Sequence, residues 1–197
     1  MTPPPWTVTL VCGASGVGKS TVAAALAARY TTPAAYADDV VTGLRAMTTA
    51  EQEPALHFWD THPEAWSWPA ERIADLHLAV CEAVRPGLRA VIADHVASAA
   101  PVVFEGDYLL PDLAEGFGGA VQAVLLTESD PERILANYRA REPDGGEQAY
   151  RARVSVEVTA LLADRCRRAG GAVVPVRPWA DVVERVDAAL RATGAPA

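Results

Sequence analysis

Two hydrophobic periods take turns along this 197-residue chain. Short, nearly unbroken apolar runs stand at Thr7–Cys12 (TVTLVC), Ala34–Ala37, Pro101–Asp107 (PVVFEGD), Val121–Thr127 (VQAVLLT) and Ala172–Val176 (AVVPV). Their length and β-branched content predict five strands. Helical spacing fills the intervals. Ser20–Tyr30 is an Ala-rich helical pattern, and a second pattern runs on from the Ala34–Ala37 strand to about Met47. Ile73, Leu76, Val80 and Val84 place a helix over Pro69–Val84, Pro86-Gly87 punctuates it, and Leu88, Val91, Ile92 and Val96 place another over about Leu88–Ala99. Asp130-Pro131-Glu132 combines a cap residue with proline at the first helical position, which marks a helix start. Glu142–Gln148 (EPDGGEQ) interrupts that helix before a helix over about Ala149–Ala169, and Asp181–Arg191 closes the chain. Alternating strands and helices predict an α/β fold with ligands at the carboxyl ends of the strands. The segment 193–197 is expected to fray.

Glu51–Trp68 follows neither period, and it holds His57, Phe58, Trp59, Asp60, His62, Trp66 and Trp68. Three of the five tryptophans fall within ten residues here, so this stretch either walls or lids a small-molecule pocket or fills core beneath a long connection. Its two histidines lie five apart with no cysteine nearby, which opposes metal ligation.

Length and a 50% hydrophobic content fit one domain over residues 1–197, with no repeat, linker or low-complexity segment. A net charge of −8 opposes any broad nucleic-acid or anionic-membrane surface, so phosphate recognition must be local. MTPPPW lacks a secretion signal's basic and apolar regions, and no run approaches membrane-spanning length, so a cytoplasmic location is expected. Cys12, Cys81 and Cys166 are odd in number and far apart, which suits reduced, packed thiols.

The chemistry centres on Gly13–Ser20. Gly13, Ala14, Ser15, Gly16, Val17, Gly18, Lys19 and Ser20 satisfy the phosphate-cradling template G-x-x-x-x-G-K-[ST], between a predicted strand and a predicted helix. Lys19 is the only lysine among seventeen basic residues. A compact ammonium on a flexible stem fits among phosphate oxygens where a planar guanidinium collides with the loop backbone. Backbone N–H groups from Gly13 to Lys19, with Ser20, Thr21 and the helix N-terminus behind them, are therefore assigned to nucleotide phosphates. No N-K-x-D guanine motif can exist in a chain with one lysine, which favours ATP.

Acidic residues stand at two strand ends. Asp38 and Asp39 follow the second strand, where one can cap the next helix while the other faces the site. Glu105 and Asp107 end the third strand, with Glu105, nearer the strand proper, preferred as the partner of magnesium or its waters. Arg133, Arg139 and Arg141 precede the glycine break and suggest a lid that swings over transferring phosphates. Arg177 and Trp179, after the last strand, either pack on an adenine or form a surface turn. His77 and His95 read as hydrogen-bonded packing residues, and Arg165, Arg167 and Arg168 as a solvated helix end.

The order strand, phosphate loop, helix, strand, acidic pair, helices, strand with Glu105, strand, arginine-bearing helix, glycine break, helix, strand, helix resembles the nucleoside-monophosphate-kinase-like branch of the P-loop kinases. The resemblance covers nearly the whole chain and includes small-molecule kinases of the shikimate, gluconate and chloramphenicol phosphotransferase type. It implies a P-loop NTPase three-layer sandwich, with a five-stranded parallel sheet ordered 2-3-1-4-5, helices on both faces, a helical lid at about 131–153 and a substrate-binding insertion at about 40–70. It also implies an ATP- and Mg²⁺-dependent kinase acting on a hydroxyl or phosphate of a small-molecule acceptor, as a monomer or homodimer. In such an enzyme Lys19 bridges to the γ-phosphate and Ser20 ligates Mg²⁺, with Asp38 or Glu105 holding its waters. Asp38 or Asp39 serves the acceptor hydroxyl, and Arg133, Arg139 and Arg141 neutralise the transferred group. The alternative is a nucleotide-binding regulatory module or an NTPase without such an acceptor.

Overall fold

The computed structural model describes residues 3–146 and 148–194. The end of the expected fraying tail and Glu147 of the glycine break lie outside the described residues. Five strands, β1 (Val8–Cys12), β2 (Ala34–Tyr36), β3 (Val102–Glu105), β4 (Val121–Thr127) and β5 (Ala172–Pro175), form one parallel sheet in the order β2-β3-β1-β4-β5. Every residue of β1 and β3 is buried, because helices cover both faces of the sheet. The register sets Val11 of β1 beside Glu105 of β3, and Tyr36 of β2 beside the same glutamate. Three strands thus deliver their carboxyl ends to one edge. This is the three-layer α/β sandwich of P-loop NTPases, with the expected strand order.

The helices are α1 (Lys19–Tyr30), α2 (Ala37–Met47), the single turn α3 (Phe58–Thr61), α4 (Ala70–Ala97), α5 (Pro131–Arg141), α6 (Ala149–Arg168) and α7 (Val182–Thr193). The two helices expected either side of Pro86-Gly87 are one, since α4 runs 28 residues straight through both. Tertiary packing outweighs the local cost of about 3 kcal/mol for an interior proline. A Cβ on Gly87 would come within 3.0 Å of Leu44, so the glycine lets α2 approach α4 instead of ending the helix. Arg165 is likewise no solvated terminus. It pairs with Asp112 and Glu82, both at 2.6 Å, while Arg85 of α4 reaches Asp112 at 2.8 Å. That cluster ties α4 and α6 to the segment after β3. All three cysteines are free and buried.

The aromatic stretch 51–68 divides its labour. Phe58 stacks on His62 at 4.6 Å and joins Ala65 and Ile73 in a small satellite core. Trp59 and Trp66 stack on each other at 4.4 Å and face a cavity. No helix among the described residues is long and apolar enough to cross a membrane.

Candidate functional site

The loop between β1 and α1 owes its shape to three glycines with positive φ, Gly13 (148°), Gly16 (78°) and Gly18 (99°). Each is also closely approached. A Cβ on Gly13 would stand 2.8 Å from the Leu126 carbonyl oxygen, and one on Gly18 would stand 2.5 Å from the Trp179 ring. Gly18 is the N-cap of α1, so Lys19 opens the helix and the loop's amides gather at its N-terminus. Helix α5 braces the loop from outside, with Asn137 Nδ2 donating to the Gly16 carbonyl at 2.8 Å.

Lys19 is 6% exposed, and its ammonium donates to the Ala14 carbonyl at 2.9 Å and to Asp107 Oδ1. Burial pushes the Asp107 carboxyl up, but the charge and hydrogen bond of Lys19, with help from His77 and Ser15, outweigh it and hold the group below the usual range. Glu105, 4% exposed, moves the other way: burial raises it despite a hydrogen bond from Ser20 and the charge of Lys19. The two acids at the end of β3 therefore have different partners. Glu105 serves the Ser20 hydroxyl and Asp107 serves Lys19.

Asp38 and Asp39 lie in the first turn of α2, whose N-cap is Tyr36, so neither carboxylate caps the helix. Asp38 borders the phosphate loop, where desolvation and then the charge of Asp107 raise its carboxyl. Gly106 makes this proximity feasible, since a Cβ there would press to 2.6 Å from Ala37 and 3.3 Å from Asp38 Oδ2. Together these groups line a cavity of about 740 Å³ with the loop on one side and Asp38, Glu105, Asp107, Arg141, Arg177 and Trp179 around it.

Asp39, Arg133 and Arg139 do not line that cavity. Arg133 is half exposed and pairs with Asp130 at 3.2 Å. Arg141 does line it, and is held by Glu142 at 2.6 Å. Arg177 lies 3.5 Å from Glu128 Oε2 and beside the Trp179 ring. Sequence reasoning passed over Arg151, which reaches the same Glu142 at 2.8 Å from the far side of the break and lies over the Tyr138 ring. It passed over Asn137 as well. Proximity in sequence to the phosphate loop could find neither, because both arrive on helices more than a hundred residues away.

A second cavity of about 350 Å³ adjoins the first, and Ser15 and Asp107 line both. Its wall includes Trp59, Trp66, Ile73, Leu76 and Val154. His77 Nε2 donates to the Asp107 carbonyl at 3.0 Å, and burial lowers the imidazole's pKa, which favours its neutral form. Among the described residues, no group of three or more His, Cys, Asp or Glu side chains can hold a metal ion unaided.

No protein-family model and no curated protein sequence matches the chain. Its fold does match solved structures. A gluconokinase from Sinorhizobium meliloti 1021 is similar with a TM-score of 0.57 and 18% identity, over 98% of this chain and 95% of that one. TT1252 from Thermus thermophilus is similar with a TM-score of 0.57 and 20% identity, over 95% of this chain and 97% of that one. The chain, with its P-loop NTPase architecture, shares its overall fold with these two proteins.

Proposed function

We propose that this protein is an ATP-dependent phosphotransferase that moves the γ-phosphoryl group of ATP to a hydroxyl of a small molecule. The observation that carries this reading is the seam between the two cavities. A glycine-lined cavity that carries Lys19, Arg141 and Arg177 on one side meets a separately walled cavity on the other, and Asp107 lines both. A nucleotidase needs only water at that point, whereas a kinase needs room for an acceptor. The fold relative named a gluconokinase supports a kinase reading.

The residues present fit a magnesium nucleotide. Loop amides and the α1 N-terminus receive the β-phosphate, and Lys19 reaches toward the γ-phosphate. Magnesium bound with the nucleotide supplies charge neutralisation on the phosphate oxygens. Ser20 and Glu105 are the side chains that would hold it and its waters. Asp38, whose carboxyl is raised by burial and then by the charge of Asp107, borders the phosphate loop and receives the proton of the incoming hydroxyl, while Asp107 pairs with Lys19. Arg141 is positioned for charge on the transferred group, and Trp179 over Gly18 for the base or ribose.

The test mixes protein, Mg²⁺, ATP and a panel of hydroxylated compounds and measures acceptor-dependent ADP release. Lys19→Ala is expected to lower it by about 10³-fold or more. Unchanged turnover in that variant overturns the reading, and tight nucleotide binding without turnover on any acceptor indicates a regulatory module instead.

A further inference from the structure

The two cavities are joined through a side chain that lines neither of them. Tyr138 of α5 is 2% exposed, and its ring lies against the phosphate loop, where a Cβ on Gly16 would stand 3.1 Å from the ring's Cε1 and Cζ. Its hydroxyl shares a 2.8 Å hydrogen bond with Ser155 Oγ of α6, and Ser155 is buried too and lines the second cavity. Two guanidinium groups lie over the same ring. Arg141, from the cavity at the phosphate loop, is 5.4 Å from the ring centroid, and Arg151, from the second cavity, is 4.4 Å from it. Ile134, Leu135, Tyr138 and Ala152 form a small core of their own, whereas Val158, Leu162 and Cys166 further along α6 belong to the main core. The Tyr138–Ser155 bond therefore sits where α6 passes from one core to the other.

A buried hydroxyl pair is a poor stability device. Apolar groups of the same shape at both places are nearly neutral, whereas one hydroxyl left alone is costly. What the pair fixes is alignment, because the bond is directional and any slide of α6 along α5 leaves both groups unsatisfied. We infer that Tyr138 is a positioning residue that holds the phosphate loop and the second cavity in register, so that nucleotide bound at the loop tightens the α6 wall of the second cavity. This rests on the nucleotide-binding part of the phosphotransferase reading and on no particular acceptor. The route is short. Gly16, Asn137 and Arg141 line the cavity at the phosphate loop and Asn137 donates to the Gly16 carbonyl, so phosphates that settle on the loop act on α5 directly. Tyr138 passes that shift to Ser155, and Arg151, one turn earlier on the same face of α6, moves with it.

Hydrogen exchange read by mass spectrometry, on the whole protein with and without Mg²⁺ and the β,γ-imido analogue of ATP, tests this without an acceptor. In the unaltered protein the analogue is expected to slow exchange in the phosphate loop and, by about threefold or more, across residues 149–158 of α6. Tyr138→Phe keeps the ring on Gly16 and leaves the Ser155 hydroxyl able to bond the carbonyl one turn back. Tyr138→Phe combined with Ser155→Ala removes both partners and is expected to melt close to the unaltered protein. Both variants should bind the analogue within about threefold of the unaltered protein in titration calorimetry and keep protection of the loop, while the response at 149–158 falls below about 1.5-fold. A merely structural pair leaves that response intact in the double variant, and this result overturns the inference. So does an unaltered protein whose response stays confined to the phosphate loop, and either result leaves nucleotide binding standing. Loss of analogue affinity by more than about tenfold in the folded double variant also overturns it, because Tyr138 then shapes the loop itself. Absence of binding of both the analogue and Mg-ATP by the unaltered protein overturns this inference and the phosphotransferase reading together.

Discussion

At the scale of single residues, the phosphate loop shows why its template tolerates some positions and not others. Val17 and Ala14 are free in the template, yet both are buried and belong to the core. Gly18 is fixed for two reasons that the motif does not distinguish. Its φ of 99° is unfavourable for any residue with a Cβ, and the space such an atom needs is already held by Trp179. Gly18→Ala is therefore expected to weaken Mg-ATP binding by more than tenfold in titration calorimetry. Measured against Trp179→Ala alone, Gly18→Ala should cost less but not nothing, because removing the ring relieves the clash and leaves the backbone strain of about 1 kcal/mol or more. Equal affinity of Trp179→Ala with and without Gly18→Ala would assign the whole effect to crowding. Lys19 was legible as a site residue because it is the only lysine. Its partner was not, since Glu105 and Asp107 sit two residues apart at one strand end, and only the fold reveals that one turns to Ser20 and the other to Lys19.

At the scale of elements, strands were readable because buried parallel strands are short apolar runs, and β1 through β5 stand where those runs predict. Helix ends were readable where a cap states them, as at Asp130, which accepts from the Glu132 amide at 3.0 Å. They were unreadable at Pro86-Gly87, where the local signal for a break loses to packing along α4 and the glycine serves α2. The arginines at the end of α6 show the same limit. A basic last turn fits the helix dipole, and nothing local says that Arg165 instead meets Asp112, which lies 53 residues earlier. Burial raises the Asp112 carboxyl, but its hydrogen bonds from Arg165 and Arg85 prevail, so its pKa is lower in the folded protein than in the unfolded chain. The stability this contributes is complete above the unfolded carboxylate pKa of about 3.9 and is lost as the pH falls through it toward the folded value. Asp112→Asn should cost about 1–3 kcal/mol at pH 7. Urea midpoints of the two proteins should converge as the pH is lowered from 5 to 3, and a constant difference across that range would place the effect in packing rather than in charge.

At the scale of the whole molecule, the sheet edge brings phosphate loop, strand-end acids and the second cavity together, while α5 and α6 carry arginines that flank them. The glycine break is the joint between those helices, and Glu142 at its start holds an arginine from each side. Arg141 bonds it at 2.9 and 2.6 Å and Arg151 at 2.8 Å, and the two cations hold the carboxyl down at about 2, so it stays charged throughout the working range. Arg141 lines the cavity at the phosphate loop and Arg151 the second cavity, so one carboxylate restrains a cation of each. Bringing Arg141 onto a nucleotide must break its pairing with Glu142, and exposed pairs of this kind are weak. Glu142→Gln removes that restraint without shortening the side chain. It is expected to tighten Mg-ATP binding by about two- to fivefold at low salt, with the gain shrinking as ionic strength rises, whereas Arg141→Ala weakens binding in the same assay. If Glu142→Gln instead weakens binding as Arg141→Ala does, the carboxylate orients the arginine rather than withholding it, and the glycine break acts as a rigid brace instead of a hinge.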